Sequence, residues 1–293
     1  MSTERWVRGV RLHVDVRPGE GTPLLLCNGI GANLELLQPL VDALAAQRGR
    51  RMPVIRFDMP GTGGSPTTKL PRWMPQVARL VADLVTELGY DQVDVLGISW
   101  GGALAQELAH RRPRMVRRVV LCATSMGMVM VPANPAVLLT LASPMRYFGA
   151  GRMREAANRI YGGGFGSDPE ISTRYAATTR APDPIGYLWQ ILAGAGWTSA
   201  HYLPLLRQPV LVIAGDDDPI IPTVNARLMA KLLRHGRLHI VPGGGHLALL
   251  THENDIVPLV HAFLTEGEDN AEPGHDARPQ RRVLARPRRG RRR

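Results

Sequence analysis

Ser99 stands at the centre of a pattern that could carry nucleophilic chemistry, Gly97-Ile98-Ser99-Trp100-Gly101. A β-branched apolar run precedes this pattern and a helix-forming run follows it, which predicts a strand, a sharp turn and a helix. A serine on such a turn takes a strained backbone conformation, and the flanking glycines let the strand and the helix cross closely. The pattern therefore predicts Ser99 as the nucleophile of a nucleophile elbow.

A serine hydroxyl is a weak nucleophile unless a general base accepts its proton and a carboxylate orients that base. In an open α/β sheet such groups lie on loops at the carboxyl ends of strands. His246 follows a predicted strand at residues 237–241 and lies in a glycine-rich loop. The other histidines fall on predicted helices or strands, in the middle segment or near the C-terminus. The sequence therefore predicts His246 as the base.

The carboxylate is expected in the loop that follows a predicted strand at residues 210–214. This loop contains three consecutive acids, Asp216, Asp217 and Asp218, and their spacing alone does not choose among them. The other loop where this chemistry could place an acid follows the predicted strand at residues 116–122, and it offers no carboxylate. One of the three aspartates is therefore predicted to orient His246.

Two main-chain N–H groups are expected to stabilise the oxyanion that forms when a serine attacks an acyl carbon. One belongs to the residue after the nucleophile, Trp100. The other comes from the loop after the first buried strand, Asn28-Gly29-Ile30-Gly31, where Ile30 is the predicted donor.

The elements that must position these residues alternate between apolar strands and amphipathic helices. This alternation predicts the α/β class, with a mostly parallel central sheet and helices on both faces. It breaks over residues 125–203, which are rich in Met, Pro, Gly and aromatic residues and are predicted to form an inserted helical lid. The core is thus expected in two parts, residues 1–124 and 204–265, followed by a tail at residues 266–293.

Charge is concentrated in that tail. The 293 residues carry a formal net charge of +11, but nine arginines and no acid fall within residues 278–293, so the rest is near neutral. Such a tail is predicted to be disordered.

The two cysteines suggest no disulfide framework, and the chain shows neither a signal-peptide pattern nor a membrane-spanning apolar run. The protein is therefore expected to be soluble and cytoplasmic.

Several segments of the sequence are more distinctive than a catalytic triad alone would require. They are residues 28–35, 98–106, 129–132, 142–144, 160–165, 196–199 and 214–219. In these segments the chain, over residues 5–265, resembles the intracellular medium-chain-length poly(3-hydroxyalkanoate) depolymerases of the α/β-hydrolase superfamily. The resemblance favours Asp218 as the acid. One departure is Asn28-Gly29, where most relatives have His-Gly.

The resemblance implies a serine hydrolase that cleaves ester bonds of an intracellular storage polyester through an acyl-enzyme, with no metal or organic cofactor. Met130, Tyr161, Trp189 and Trp197 are the lid residues proposed to contact substrate, although packing of the lid against the core is the alternative for each. The Arg-rich tail is a candidate tether to a granule surface and is the only expected contact with nucleic acid, unless it is a dispensable solvated extension. The first rival function is a general carboxylesterase or lipase acting on small acyl esters, or a carbon–carbon hydrolase, with the same triad. The second is a non-catalytic granule-binding protein on a hydrolase fold.

Overall fold

The computed structural model describes residues 2–49, 51–142, 160–165 and 169–267. In this part of the chain eight strands form one sheet in the order β1-β2-β4-β3-β5-β6-β7-β8. The two pairs that involve β2 are antiparallel, and all the other neighbouring strands are parallel. The strands are β1 (Ser2–Val7), β2 (Val10–Arg17), β3 (Leu24–Cys27), β4 (Val54–Phe57), β5 (Val93–Ile98), β6 (Val116–Cys122), β7 (Val210–Gly215) and β8 (Gly236–Val241).

Helices connect the strands and cover both faces of the sheet. They are α1 (Gln38–Ala45), α2 (Met74–Glu87), α3 (Trp100–Arg111), α4 (Pro135–Ala142), α5 (Pro169–Thr178), α6 (Pro184–Gly194), α7 (Val224–Leu232), α8 (Ala248–Thr251) and α9 (Glu253–Thr265). The described ranges also contain three short 3-10 helices, at Leu34–Leu37, Gly163–Phe165 and Leu203–Leu205.

The core lies in two layers because successive side chains of a strand point to opposite faces of the sheet. In β3, Leu25 and Cys27 pack in the layer that contains α2 and α3. Leu24 and Leu26 pack in the opposite layer with α1 and α9. Each fully buried leucine stabilises the fold by about 2 kcal/mol relative to an exposed one. The predicted α/β architecture, with a mostly parallel sheet and helices on both faces, is confirmed.

The N-terminal hairpin turns earlier than the sequence pattern indicates. The alternation over residues 6–16 predicts a strand or hairpin with a turn at residues 18–21. In the structure β1 and β2 are joined by a two-residue turn at Arg8 and Gly9, whose φ angles are 50° and 72°. Positive φ at both central residues matches the right-handed twist of paired strands, which is why a glycine in this turn is favoured.

The described chain between β6 and β7 consists of helices joined by loops. It contains α4, α5 and α6, whereas β6 and β7 themselves are direct parallel neighbours in the sheet. The boundaries of a lid at residues 125–203 stay a prediction. The sequence also predicts a helix at residues 152–161, but most of that range lies outside the described residues, as does the tail from residue 268. Within the described residues, no helix is both long enough and apolar enough to span a bilayer.

Candidate active site

Ser99 occupies the sharp turn between β5 and α3. Its φ of 54° and ψ of −119° lie in a region that costs a residue with a Cβ atom conformational energy. The turn is held from two sides: the Ser99 N–H donates to the Cys122 carbonyl at 2.9 Å, and the Ser99 carbonyl accepts the Thr124 hydroxyl at 2.7 Å. A Cβ atom at Gly97 or Gly101 would overlap backbone atoms at the crossing of strand and helix. The local structure is therefore that of a nucleophile elbow.

A buried acid and a buried imidazole lie against each other beside this turn. His246 Nδ1 and Asp218 Oδ2 are 2.8 Å apart. The other carboxylate oxygen, Oδ1, accepts the main-chain N–H groups of Ile220 and Ile221, each at 2.9 Å. Because Nδ1 faces the carboxylate, Nε2 is the ring nitrogen left to take a proton from a nucleophile.

The other two aspartates of the acid loop hold neighbouring turns. Asp216 accepts the Gly243 N–H at 2.6 Å, and Asp217 accepts the Gly163 N–H at 2.7 Å. Both aspartates are exposed, whereas Asp218 is buried. Of the three acids that the sequence left open, the structure therefore brings Asp218 to the imidazole and uses the other two to fasten loops.

The two segments with the predicted oxyanion donors meet at Ser99. A Cβ atom at Gly29 would lie 3.7 Å from the Cβ of Ser99, so the loop that contains Ile30 runs past the serine. Trp100 is the first residue of α3, and the N–H groups of a first helical turn have no acceptor within the helix. Both segments thus carry N–H groups next to the site where an acyl oxygen would develop charge.

Ser99 and His246 line the same cavity, which has a volume of about 270 Å³. Ile30 and Tyr161 also line it. Most of its wall is apolar. The other apolar or aromatic residues that line it are Ala32, Leu36, Leu37, Ile98, Tyr175, Tyr187, Ile191, Ile220, Leu247, Leu249 and Leu250. An apolar cavity with a few converging polar groups is the usual form of a binding site for an apolar ligand.

Of the four lid residues predicted to contact substrate, only Tyr161 is among the described residues that line this cavity. Met130 packs against the cluster of Ile160, Ile220 and Ile221, and its sulfur accepts the Ser125 hydroxyl at 3.2 Å. Trp189 donates from Nε1 to the Thr68 carbonyl at 3.0 Å. This placement supports packing, the alternative interpretation, for Met130 and Trp189.

Trp197 anchors the segment before β7 to the core through a buried carboxylate. Its Nε1 donates to Glu107 at 3.0 Å, and the Tyr202 hydroxyl donates to the same carboxylate at 2.9 Å. Burial alone would raise the pKa of Glu107, but the hydrogen bonds donated by Trp197, Arg111 and Tyr202 outweigh it and lower that pKa. Trp197 therefore has a structural partner away from the catalytic cavity.

Gln190 is a residue of this site that the sequence did not reveal. It lies on α6, and its side-chain oxygen accepts the Gly31 N–H at 2.9 Å. Its main-chain carbonyl accepts the indole N–H of Trp100, also at 2.9 Å. The residues that it joins are about 90 and 159 positions away in the chain, so no local pattern could have indicated the contact.

Comparisons with known proteins agree with this architecture. Residues 22–253 match the family model described as alpha/beta hydrolase fold. The chain is 47% identical over 258 residues to the poly(3-hydroxyalkanoate) depolymerase of Ectopseudomonas oleovorans, covering 87% of this chain and 89% of that protein. It is 29% identical over 267 residues to serine hydrolase BPHL of Mus musculus, covering 88% of this chain and 84% of that protein.

Among solved structures, the enol-lactonase from Burkholderia xenovorans LB400 superposes with a TM-score of 0.78. The sequence identity is 24%, and the match covers 90% of this chain and all of that one. At this identity the likeness concerns the fold.

Proposed function

Because this chain belongs to the α/β-hydrolase fold family, and within it to the poly(3-hydroxyalkanoate) depolymerases, we propose that it hydrolyses medium-chain-length poly(3-hydroxyalkanoate) by serine catalysis. It is a carboxylic ester hydrolase. The observation that carries the proposed mechanism is the buried Asp218–His246 hydrogen bond, which lies at the cavity that Ser99 also lines.

In the proposed mechanism Ser99 Oγ attacks the ester carbonyl while His246 Nε2 takes its proton. The main-chain N–H groups of Ile30 and Trp100 stabilise the oxyanion of the tetrahedral intermediate. His246 then gives the proton to the leaving hydroxyl, and Asp218 stabilises the imidazolium in between. Water activated by the same histidine hydrolyses the acyl-enzyme, which releases a 3-hydroxy acid or an oligomer and regenerates Ser99.

The shape and lining of the cavity support a substrate with alkyl side chains. Leu36, Ile191 and Leu250 are among the apolar residues around the serine, and transfer of an alkyl chain from water to such a wall is favourable by about 0.8 kcal/mol per buried CH₂. The wall is contributed by the α/β core and by the segment between β6 and β7, which supplies Tyr161, Tyr175 and the α6 residues. Both would contact the side chain of the polyester.

The test is hydrolysis by the wild type and by Ser99→Ala on three substrates: medium-chain polyester latex, short-chain polyester and p-nitrophenyl esters. We expect the wild type to clear the medium-chain latex and Ser99→Ala to leave it turbid, since removal of the nucleophile lowers kcat by a factor of about 10⁴ or more.

The remaining outcomes identify the rival functions. Hydrolysis of small esters without attack on any polymer would make the protein a general carboxylesterase. Binding to granules without hydrolysis of any ester by the wild type would make it a binding protein.

Cofactor independence is part of the proposal, and dialysis against a chelator should leave the rate unchanged. A cytoplasmic location at the surface of polyester granules is proposed with it.

A further inference from the structure

Gln190 contacts both segments that carry the proposed oxyanion donors. It is buried in the middle of α6, with 3% of its surface exposed. Its Oε1 accepts the N–H of Gly31, the neighbour of Ile30, and its carbonyl accepts the indole N–H of Trp100. We infer that Gln190 is a positioning residue that preorganises the oxyanion hole, an inference that rests on the proposed function.

The hydrogen bond from Gly31 to Gln190 holds a turn that could otherwise change its conformation. The Ala32 N–H donates to the Gly29 carbonyl at 3.2 Å, and Gly31 has a φ of 71° while Ile30 is not among the residues with positive φ. These are the features of a type II turn whose central peptide joins Ile30 to Gly31. Glycine takes positive or negative φ at similar cost, so this peptide can flip. The hydrogen bond from Gly31 to Gln190 opposes the flip, which would swing the Ile30 carbonyl dipole beside the oxyanion hole.

The second bond fixes the start of the nucleophile helix. Trp100 follows Ser99 directly, and its indole is tied to α6 through the Gln190 carbonyl. The helix α6 is itself held to the rest of the protein: Asp183, its N-cap, donates its N–H to the Gly61 carbonyl at 2.9 Å. Gln190 thus connects both halves of the oxyanion hole to one anchored element.

The same helix contacts the space where substrate binds. Tyr187 and Ile191, which lie three residues before and one residue after Gln190, line the catalytic cavity. Tyr187 and Ile191 are four residues apart, so they share one face of α6. The position of α6 against a bound acyl chain is therefore coupled to the position of the two N–H donors.

Only half of the Gln190 amide is used. Within the described residues, its Nε2 is buried without a hydrogen-bond partner. An unpaired buried N–H group destabilises the folded state, so a residue that only filled this space would be better as methionine. The side-chain oxygen, in contrast, accepts the Gly31 N–H. A methionine at this position could not form that hydrogen bond.

The test is Gln190→Met, which keeps the volume of the side chain and removes the acceptor. With p-nitrophenyl octanoate we expect kcat to fall about tenfold while KM changes less than about twofold, because the oxyanion exists only after attack. The affinity for an alkyl trifluoromethyl ketone, which forms a tetrahedral oxyanion with Ser99, should fall by the same factor as kcat/KM.

Tyr202→Phe is the matched control. It removes one buried hydrogen bond of 2.9 Å between the segment before β7 and Glu107, away from the catalytic cavity. We expect its Tm to fall at least as much as that of Gln190→Met, with kcat and ketone affinity at wild-type values. Equal losses of kcat in both variants, or a wild-type kcat in Gln190→Met, would overturn the positioning role.

Ser99→Ala in the same assay separates this inference from the proposed function. Octanoate hydrolysis that survives in Ser99→Ala contradicts the serine mechanism and, with it, the role of Gln190. An inactive Ser99→Ala together with a fully active Gln190→Met contradicts the positioning role alone. A wild type that hydrolyses octanoate but no polyester contradicts only the polymer substrate, and the kcat of Gln190→Met still decides the positioning role.

Discussion

Asp218 uses its two carboxylate oxygens for different tasks. Oδ1 is held by the N–H groups of Ile220 and Ile221, so the carboxylate cannot rotate freely, and Oδ2 is left for Nδ1 of His246. The side chain has no exposed surface. A fixed, buried acceptor of this kind selects the tautomer in which Nδ1 carries the proton and Nε2 is free to act as a base.

Asp218→Asn should therefore abolish activity without unfolding the protein. The amide oxygen can still accept from Ile220 and Ile221, which leaves the NH₂ group facing His246 Nδ1. That arrangement requires Nδ1 to be an acceptor and Nε2 to carry the proton, so Nε2 cannot take a proton from Ser99. We expect kcat for p-nitrophenyl octanoate to fall by about 10³–10⁴-fold.

Asp217→Asn is the control for this prediction, because its amide oxygen can still accept the Gly163 N–H. Its kcat should stay within about threefold of the wild type. If the larger loss of activity occurred in Asp217→Asn, with Asp218→Asn close to the wild type, Asp218 would not be the acid of the triad.

At the scale of elements, the crossing of β5 and α3 leaves no room for side chains at two of its glycines. A Cβ atom at Gly101 would overlap the carbonyls of Cys27, at the end of β3, and of Asn28 in the following loop, and one at Gly97 would overlap Gly101. These neighbours are backbone atoms, which cannot move aside as a flexible side chain can. The strained turn at Ser99 thus depends on the close approach of a strand, a helix and a loop.

We therefore expect Gly101→Ala to destabilise the whole domain. Relief of the overlap requires a shift of α3 or of the loop after β3, at a cost of about 3 kcal/mol or more in the free energy of unfolding. Thermal melting followed by circular dichroism measures the loss. Gly194→Ala is the control, since its nearest neighbours would lie in ordinary contact at 3.6 Å. A Tm of Gly101→Ala that matches this control would contradict the steric argument.

The elements of the sheet could be predicted because their signals are local. Apolar runs indicated β3 and β7, a largely apolar β-branched run indicated β5, and glycines at fixed spacing indicated the turn at Ser99. Asp218 and His246, the predicted acid and base, lie in the loops after β7 and β8 and are in hydrogen-bond contact there. The sequence did not separate Asp216, Asp217 and Asp218, because all three have similar local surroundings and only their partners in space differ.

The contacts of the segment between β6 and β7 could not be predicted, because they join residues that are far apart in the chain. Trp197 finds its acceptor Glu107 about 90 residues earlier in the chain, and Gln190 finds Gly31 159 residues earlier. Aromatic and methionine residues are suited equally to packing and to substrate contact, so composition alone does not distinguish these roles. Residue order carries no local signature of such pairs.

At the scale of the whole molecule, the charge of the chain is unevenly divided. The described part ends at Gly267, just after Glu266, whose carboxylate pairs with Arg237 at 2.9 Å and with Arg118 at 3.5 Å. Nine arginines follow within residues 278–293. These nine arginines supply +9 of the formal net charge of +11, so most of the excess positive charge lies after this point.

A variant that ends at Gly267 should therefore separate catalysis from attachment. It keeps the proposed triad and the contacts of Glu266 but loses all nine tail arginines. We expect it to hydrolyse p-nitrophenyl octanoate at the wild-type rate. On polyester granules coated with anionic lipid, the full chain should bind at about 50 mM salt and be released at about 0.5 M, because each arginine near such a surface contributes about 1 kcal/mol that salt screens.

The truncated chain should bind these granules more weakly and with little dependence on salt. A second variant, with the nine tail arginines replaced by glutamine, keeps the length of the tail and should behave like the truncated chain if charge is responsible. Sedimentation of the granules with bound protein measures both. Equal binding by the full and truncated chains at low and high salt would contradict the tether and leave the tail as a solvated extension.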